Sequence, residues 1–445
     1  MTSSPLFYQT APDMPVVASA DGVYIRDSAG REYLDGCAGA ICANLGHGRQ
    51  DIRDAMLEQL DQVAFTYRTQ FENEPAIRLA YALTELTNGD LEKVFFVSSG
   101  SEAMEAAIKL ARQYFVSIGE KQRTQFISLR PSYHGSTLGA LGLTGYQPLE
   151  APFSDLLKPS TKVPGPDFYR HTDADDHDHV KRLLEQTRSA FQHLGPETVI
   201  ALAVEPIGGA STGARLPSRA YLRGLRELCD EYGALLIYDE VLTGLGRTGR
   251  WFAYQHYDTP PDLLAVAKGL GAGYYPVGAV LARHHIVDAV LEGGGFPHGH
   301  TYAGNPLACA TGLAVIEAIR NEGLLSNVTA RGKQLRAGLQ AMAERHAVIG
   351  DIRGEGLLYG VELVADRKTA SPFPAADNIF LRVTRLARDE GLLIYPRRPL
   401  DGVAGDHFLV SPPFTISAEE LDELLARMDR ATTRLTAEID RTGST

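Results

Sequence analysis

The sequence predicts an α/β fold: a mostly parallel sheet covered on both faces, with a smaller α+β domain beside it. Three observations carry this. Short continuous apolar runs (VFFVS, QFISL, VIALAVEP, ALLIYDEV, LLAVAKGL) succeed one another through the middle of the chain. Segments of helical spacing, EAMEAAIKLARQYF and RAYLRGLRELCDEYG, stand between them. Strands buried on both faces read as unbroken apolar runs, and alternation with helices makes the connections parallel. Each run also ends in polar or glycine residues: Ser98–Ser101, Glu205, Asp239–Glu240 and Lys268. Ligands of such sheets bind outside the carboxyl ends of the strands, so one site is expected to gather all of these.

In chain order, GVYIRDSAGREYLD alternates apolar and polar residues about a turn at Asp27–Gly30, which predicts a β-hairpin. From Asp51 the spacing turns helical, with Ile52, Met56, Leu60 and Val63 on one face. The segment Asp155–Gln186, rich in His and Asp, predicts a solvated loop and helix. After Pro306 come a long helical pattern (ACATGLAVIEAIRNEGLL), RGEGLLYGVELV, a loop with Pro372 and Pro374, a helix near Ile379–Arg388, and HFLVSPPF. These read as the smaller domain. The expected division is 1–55 as an N-terminal segment joining the small domain, 56–305 as the large domain and 306–445 as the C-terminal small domain.

The chain has 445 residues, of which 44% are apolar and 22% charged. Length alone suggests about three units of roughly 150 residues. The composition excludes wholesale disorder and a small disulfide scaffold. A net charge of −12 argues against nucleic acid as a partner, because that needs a basic surface. No apolar run reaches the ~18–20 residues of a membrane span, so no membrane association is expected. The start, MTSSPLFYQT, has neither the basic nor the apolar stretch of a signal peptide. Cys37, Cys42, Cys229 and Cys309 form no Cys-x-x-Cys pair and no zinc spacing. A reduced, cytoplasmic protein is expected.

Lys268 stands between an apolar run and several glycines. Burial there would depress its pKa and leave a free amine able to attack a carbonyl; the plain alternative is a strand-end lysine in water. Asp239 ends a buried strand, where a carboxylate suits a protonated ring nitrogen such as the pyridinium of pyridoxal phosphate; a structural ion pair is the alternative. Ser98–Glu102 opens a helix. It reads as an anion site or as a capping box of Ser99 with Glu102, and both can hold together. Tyr133 and His134 follow a strand, where an aromatic could stack on a flat ring or simply pack. Glu205 could orient the site or balance a substrate-binding Arg, or form an ion pair without a catalytic role. The two histidines of HGHTYAGNP lack carboxylate or thiol companions, so no metal is expected, and the Thr301 hydroxyl near glycines suits a phosphate oxygen.

Taken together and in this order, NLGHG, VSSGSEAMEAAIKLAR, YHGSTLGAL, VEPIGGASTGARLP, IYDEVLTGLGRTGRWFA, PDLLAVAKGLGAGYYPVGAV, HTYAGNPLACA and RGEGLLYGVEL resemble the blocks of the class III pyridoxal-phosphate aminotransferases, the group that includes the ω-aminotransferases. The match runs from about Tyr24 to Thr415. The resemblance implies fold type I, with a seven-stranded sheet in the large domain and a small domain built from both chain ends. It implies a homodimer with shared active sites, open to further pairing into a tetramer. It implies that Lys268 forms the internal aldimine and shuttles the proton, and that Asp239 keeps the pyridine nitrogen protonated. It places Ser99, Gly100 and Ser101 at the phosphate, with Thr301 joining from the neighbouring subunit. Tyr133 stacks on the ring with His134 beside it, Val241 packs on the opposite face, and Glu205 lies by the substrate carboxylate.

Family members use an Arg in the C-terminal domain for the carboxylate of the oxo acid. Here its usual position falls near Tyr395 or Pro396, followed by Arg397, Arg398 and an insertion-like PRRPLDGVA. Arg397 or Arg398 could take that role, or both could be surface arginines. Tyr24, Phe65 and Tyr67 come from regions that line the family's substrate pocket, and core or interface packing is the other reading of each. The expected reaction moves an amino group from an amine or amino acid to an oxo acid such as pyruvate. The same cofactor group would also serve racemisation, decarboxylating transamination or elimination. A cofactor-binding protein without activity is the non-enzyme reading, opposed by intact Lys268 and Asp239.

Overall fold

The computed structural model describes residues 5–7, 14–171 and 176–442. Its centre is a seven-stranded sheet in the spatial order Lys93–Val97, Gly278–Ala282, Leu263–Val266, Leu235–Asp239, Val199–Val204, Gln125–Arg130, Thr161–Pro164. Gly278–Ala282 runs antiparallel to both of its neighbours, and the remaining pairs are parallel. The three strands Val199–Val204, Leu235–Asp239 and Leu263–Val266 are buried throughout, which is why their sequences read as unbroken apolar runs. Side chains alternate between the faces. Leu235 and Ile237 join a core with Ala103, Ala107 and Leu110 of the helix Gly100–Ser117. Leu236 and Tyr238 join another with Leu222 and Leu225 of the helix Arg219–Tyr232. Each fully buried Leu or Ile is worth about 1.5–3 kcal/mol of transfer free energy, so the strand ends are held in a rigid frame.

The chain ends meet in a second region. Antiparallel strands Val17–Asp21, Tyr24–Asp27 and Glu32–Asp35 continue through Leu392–Leu393, which pairs in parallel with Leu34 and Asp35. The expected hairpin turn is there: Asp27 Oδ1 accepts from the amides of Ala29 and Arg31, each at 2.9 Å. A further sheet, Ile349–Glu355, Leu358–Leu363, Asp406–Val410, Tyr395–Arg397, packs with the helices Leu324–Arg345, Ile379–Asp389 and Ala418–Thr442. One core joins Val23, Leu34 and Ile52 to Val361, Leu386, Leu424 and Leu435. Among the described residues, no helix is long and apolar enough to cross a membrane.

The structure corrects one expectation and adds to two others. The helix Gln50–Gln62 buries Ile52, but Leu60 and Val63 are exposed; periodicity shows which residues share a face, not what covers it. In the His/Asp-rich segment, residues 172–175 lie outside the described residues. The helix Asp176–Leu194 that follows is not merely solvated, since it buries Val180, Leu183 and Phe191 against the sheet. The same segment also contributes the edge strand Thr161–Pro164, too short and polar to stand out in the sequence.

Candidate active site

The carboxyl ends of the strands converge as expected. Val97 leads into Ser98 and the helix beginning at Gly100. Ser99 caps that helix, its Oγ accepting from the Glu102 amide at 3.2 Å. The Glu102 carboxylate turns back one residue further than in a reciprocal capping box, to the Ser98 amide at 2.7 Å. First-turn amides have no acceptor within their own helix, so this end suits an anion. A Cβ on Gly100 would lie 2.6 Å from Val241 Cγ1, so only glycine lets the helix start pack this close to Val241. Ser101 Oγ accepts from the Ser136 amide at 3.1 Å, and the Tyr133 and Ser136 hydroxyls stand 3.0 Å apart. The helix start and the Tyr133–Ser136 loop are thereby one unit.

Asp239 is buried at its strand end. Its Oδ1 accepts from the Val241 amide at 3.0 Å and its Oδ2 lies 2.9 Å from His134 Nδ1. His134 is buried too, and its Nε2 has no hydrogen-bond partner among the described residues. Glu205 Oε2 accepts from the Tyr133 amide (3.1 Å) and Oε1 from the Gly209 amide (3.0 Å). Burial pushes the Glu205 carboxyl up to about 7; His134 opposes this and Asp239 adds to it. Lys268 follows its strand in the left-handed region, φ 43°, a position that favours glycine and costs a lysine on the order of 1 kcal/mol. Burial lowers the pKa of its amine against the pull of Asp239, Cys42 and Glu205, and Arg397 lowers it further.

The structure therefore brings together Ser99, Gly100, Ser101, Tyr133, His134, Glu205, Asp239, Val241 and Lys268. Glu240 does not join them. Its carboxylate accepts from the Ala253 and Tyr254 amides and the Thr243 hydroxyl, pinning the turn that follows. Thr301 is exposed in a turn beside His300, whose ring nitrogen lies 3.9 Å from Glu102. Phe65 and Tyr67 are exposed, and Phe65 meets Tyr302 edge-on at 5.7 Å. Tyr24 takes the packing role that was its other reading: its hydroxyl donates to Glu423 of the C-terminal helix at 2.7 Å and its ring packs on the small-domain core. The two arginines separate. Arg398 donates to Asn378 Oδ1 (2.8 Å) and lies over Phe380, away from the site. Arg397 donates to the Tyr395 hydroxyl at 2.9 Å, lies over that ring, and acts electrostatically on Lys268.

Sequence reasoning gave no role to Asn44, although NLGHG was among the matching blocks. A Cβ on Gly269 would fall 2.2 Å from Asn44 Nδ2, so Asn44 packs directly under the turn that presents Lys268. Asn44 Oδ1 in turn accepts from Arg247, fully buried, which also donates to the Leu357 and Pro412 carbonyls. Nothing local in the sequence marks that long-range support.

A partly desolvated amine, a buried carboxylate with its histidine, and a glycine-cleared helix start fit pyridoxal phosphate. When bound, that cofactor supplies an electron sink for negative charge at the substrate Cα. Fold and site together define a fold-type I, pyridoxal-phosphate-dependent enzyme. The family model for class III aminotransferases matches residues 8–432. The aminotransferase YodT of Bacillus subtilis is 39% identical over 414 residues, 93% of each chain. A solved amine transaminase from an uncultivated Pseudomonas species superimposes with a TM-score of 0.90 at 36% identity, covering 97% of this chain and 98% of the other. An (S)-enantioselective ω-transaminase from Thermomicrobium roseum gives 0.91 at 33% identity, over 97% and 96%. The chain belongs to the class III aminotransferases, and its activity is pyridoxal-phosphate-dependent amino-group transfer.

Proposed function

We propose that this enzyme takes the amino group of an amine or (ω-)amino acid and delivers it to a 2-oxo acid such as pyruvate. The observation that carries this reading is the buried Lys268 amine, its pKa lowered for the proton transfer, with the Arg397 guanidinium acting on it electrostatically and bonded among side chains to the Tyr395 hydroxyl. In this reading Lys268 Nζ accepts the proton from the donor Cα, which requires the neutral amine that burial favours. Asp239 receives the proton-bearing ring nitrogen, and His134 holds its carboxylate in place. Ser99, Gly100 and Ser101 hold the phosphate, with Thr301 of a second subunit. Tyr133 and Val241 bracket the ring, and Glu205 borders the substrate. Arg397 receives the carboxylate of the oxo acid, its fork suited to two parallel hydrogen bonds.

A homodimer is part of the reading. Leu57, Leu60, Val63, Phe65, Tyr67, Phe71 and Tyr302 are large apolar side chains left exposed on one chain, more than scattered surface residues need. In this reading the domains divide near residues 55 and 305: residue 55 lies within the helix Gln50–Gln62, whose Ile52 enters the small-domain core, and the helix Pro306–Asn321 is the joint, with Cys309 and Ile316 in the core of the large sheet and Val315 and Ile319 in the other. Four free cysteines support a cytoplasmic setting. The test is product analysis. The holoenzyme given a neutral amine and pyruvate should yield equal amounts of alanine and the matching carbonyl compound. Racemised substrate, or carbonyl product without alanine, would put another reaction in its place.

A further inference from the structure

The insertion-like PRRPLDGVA has so far only its first arginine in use. Its remainder is a hairpin. Tyr395–Arg397 pairs antiparallel with Asp406–Val410, Arg397 opposite His407, and beyond that root a bridge joins Leu400 to Ala404. Asp401 and Gly402 both take left-handed backbone angles, φ 54° and 76°, as the central residues of the turn that the Val403 amide closes on the Leu400 carbonyl at 3.1 Å.

The tip does not project into solvent. It lies on the large domain. Asp401 Oδ2 accepts from Arg130 Nη1 at 2.8 Å, and Oδ1 from the Gln147 amide at 3.2 Å. The Tyr146 hydroxyl donates to the Arg398 carbonyl at 3.1 Å. A Cβ on Gly402 would come within 2.5 Å of the Tyr146 ring and 2.7 Å of Pro148, so the turn rests directly on them. Arg130 is itself fixed by Glu150 at 2.7 Å. It is also the last residue of the strand Gln125–Arg130, which leads straight into Tyr133 and His134. At the root, Tyr395 packs against the small core of Ile207, Ala214 and Leu409, on which Ala210 and Leu242, neighbours of Gly209 and Val241, also pack. The hairpin thus spans from the small-domain sheet to the strand end that carries the cofactor loop, with Arg397 where it leaves the sheet.

We propose that residues 398–405 form a strap that fixes Arg397 at the mouth of the site, and that the Arg130–Asp401 ion pair is a positioning element setting the enzyme's affinity for carboxylate-bearing substrates without affecting neutral amines. This rests on the reading of Arg397 as the carboxylate receptor. Neither Arg130 nor Asp401 touches the reacting atoms; they act through the placement of Arg397.

The test compares holoenzymes of wild type, Asp401→Asn, Arg130→Gln, Arg397→Ala and the Arg397→Ala/Asp401→Asn double variant. Cofactor absorbance and thermal midpoint establish that each is folded and loaded. Two quantities are read: KM for pyruvate, and the single-turnover rate with a neutral amine such as 1-phenylethylamine. Breaking a part-exposed ion pair should raise KM for pyruvate roughly three- to fivefold in Asp401→Asn and Arg130→Gln. The amine rate should stay at the wild-type value, and Asp401→Asn should add nothing once Arg397 is gone. A pyruvate KM unchanged by Asp401→Asn but raised by Arg397→Ala would overturn the strap and leave the Arg397 reading standing. So would an Asp401→Asn effect that persists without Arg397, or one that slows the amine step equally. If Arg397→Ala leaves KM for pyruvate unchanged, the Arg397 reading fails and the strap with it.

Discussion

Two regions of this molecule bury charged groups, and they treat them in opposite ways. At the strand ends, burial prevails. It lowers the pKa of Lys268 despite Asp239 and Glu205 nearby, and raises Glu205 to about 7. Between the large sheet and the small-domain sheet lies a second cluster: Asp167, Arg170, Arg215, Asp351, Arg353 and Glu362. There the partners prevail at Glu362 and Arg353, although burial still lowers Arg215 to about 10. Burial alone would push the Glu362 carboxyl up, but Arg353 and Arg170 outweigh it and hold it at about 2. Arg353 donates to Glu362 at 2.6 Å, to Asp351 at 2.7 Å and to the Thr212 carbonyl at 2.8 Å. Arg170 pairs with the other Glu362 oxygen, and Arg215 lies 2.6 Å from Asp167. A cluster whose charges answer one another is a joint between two parts of the fold. Groups left uncompensated, with pKa values displaced toward neutrality, are poised to exchange protons.

The contrast is broken or sharpened by substitution, beginning with the largest effect. Lys268→Ala should lower turnover by roughly 10⁴-fold or more, because both the amine that holds the cofactor and the proton carrier are lost. Denaturation midpoints should hardly move, since the cost of burying the amine outweighs its attraction to Asp239 and Glu205 and the residue sits in a strained backbone region. Steady-state kinetics beside urea unfolding will show whether activity and stability separate this way.

Glu362→Gln should do the reverse. It leaves Arg353 and Arg170 facing each other in a buried place, which costs on the order of 3–5 kcal/mol. The same group sets an acid limb. Its folded pKa of about 2 lies below the ordinary 4.5, so its stabilisation is complete above about 4.5 and fades as pH falls toward 2. Unfolding of wild type and variant across that range should converge at the acid end.

Glu205→Gln should give a pH dependence of the opposite sign. Because the folded pKa is raised from 4.5 to about 7, wild-type Glu205 favours the folded state below about 4.5, and this advantage disappears as pH rises through 7. In the cofactor-free protein the variant should gain on wild type by about 3 kcal/mol between those limits. A flat difference would place Glu205 among the compensated groups. The smallest effect is expected at the helix start: Ser99→Ala removes the cap to the Glu102 amide, costs about 1 kcal/mol, and weakens cofactor retention measured by dialysis.

The two regions also differ in how far they could be read from sequence. Lys268, Asp239, Glu205 and the Ser98–Ser101 turn were legible because each ends an apolar run, and the ends of parallel strands converge. The compensated cluster was not. Asp167, Arg215, Arg353 and Glu362 are separated by long stretches of chain, and no periodicity links them. Arg397 and Arg398 are adjacent, and only the fold separates them: Arg397 stays on the strand paired with Asp406–Val410, while Arg398 turns to Asn378. Tyr24 shows the same limit from the other side. Its place in the second strand was readable, but its bond to Glu423 depends on how a helix nearly 400 residues away docks on that strand.

The central claim is that Lys268 is the amine that carries the cofactor. Reduction of the pyridoxal-phosphate-loaded enzyme with borohydride, followed by peptide mapping by mass spectrometry, addresses it directly. A phosphopyridoxyl group should be found on the peptide containing Lys268, and should be absent when a saturating donor amine is added before the reductant. The same mass on another lysine, or no modification at saturating cofactor, would contradict it.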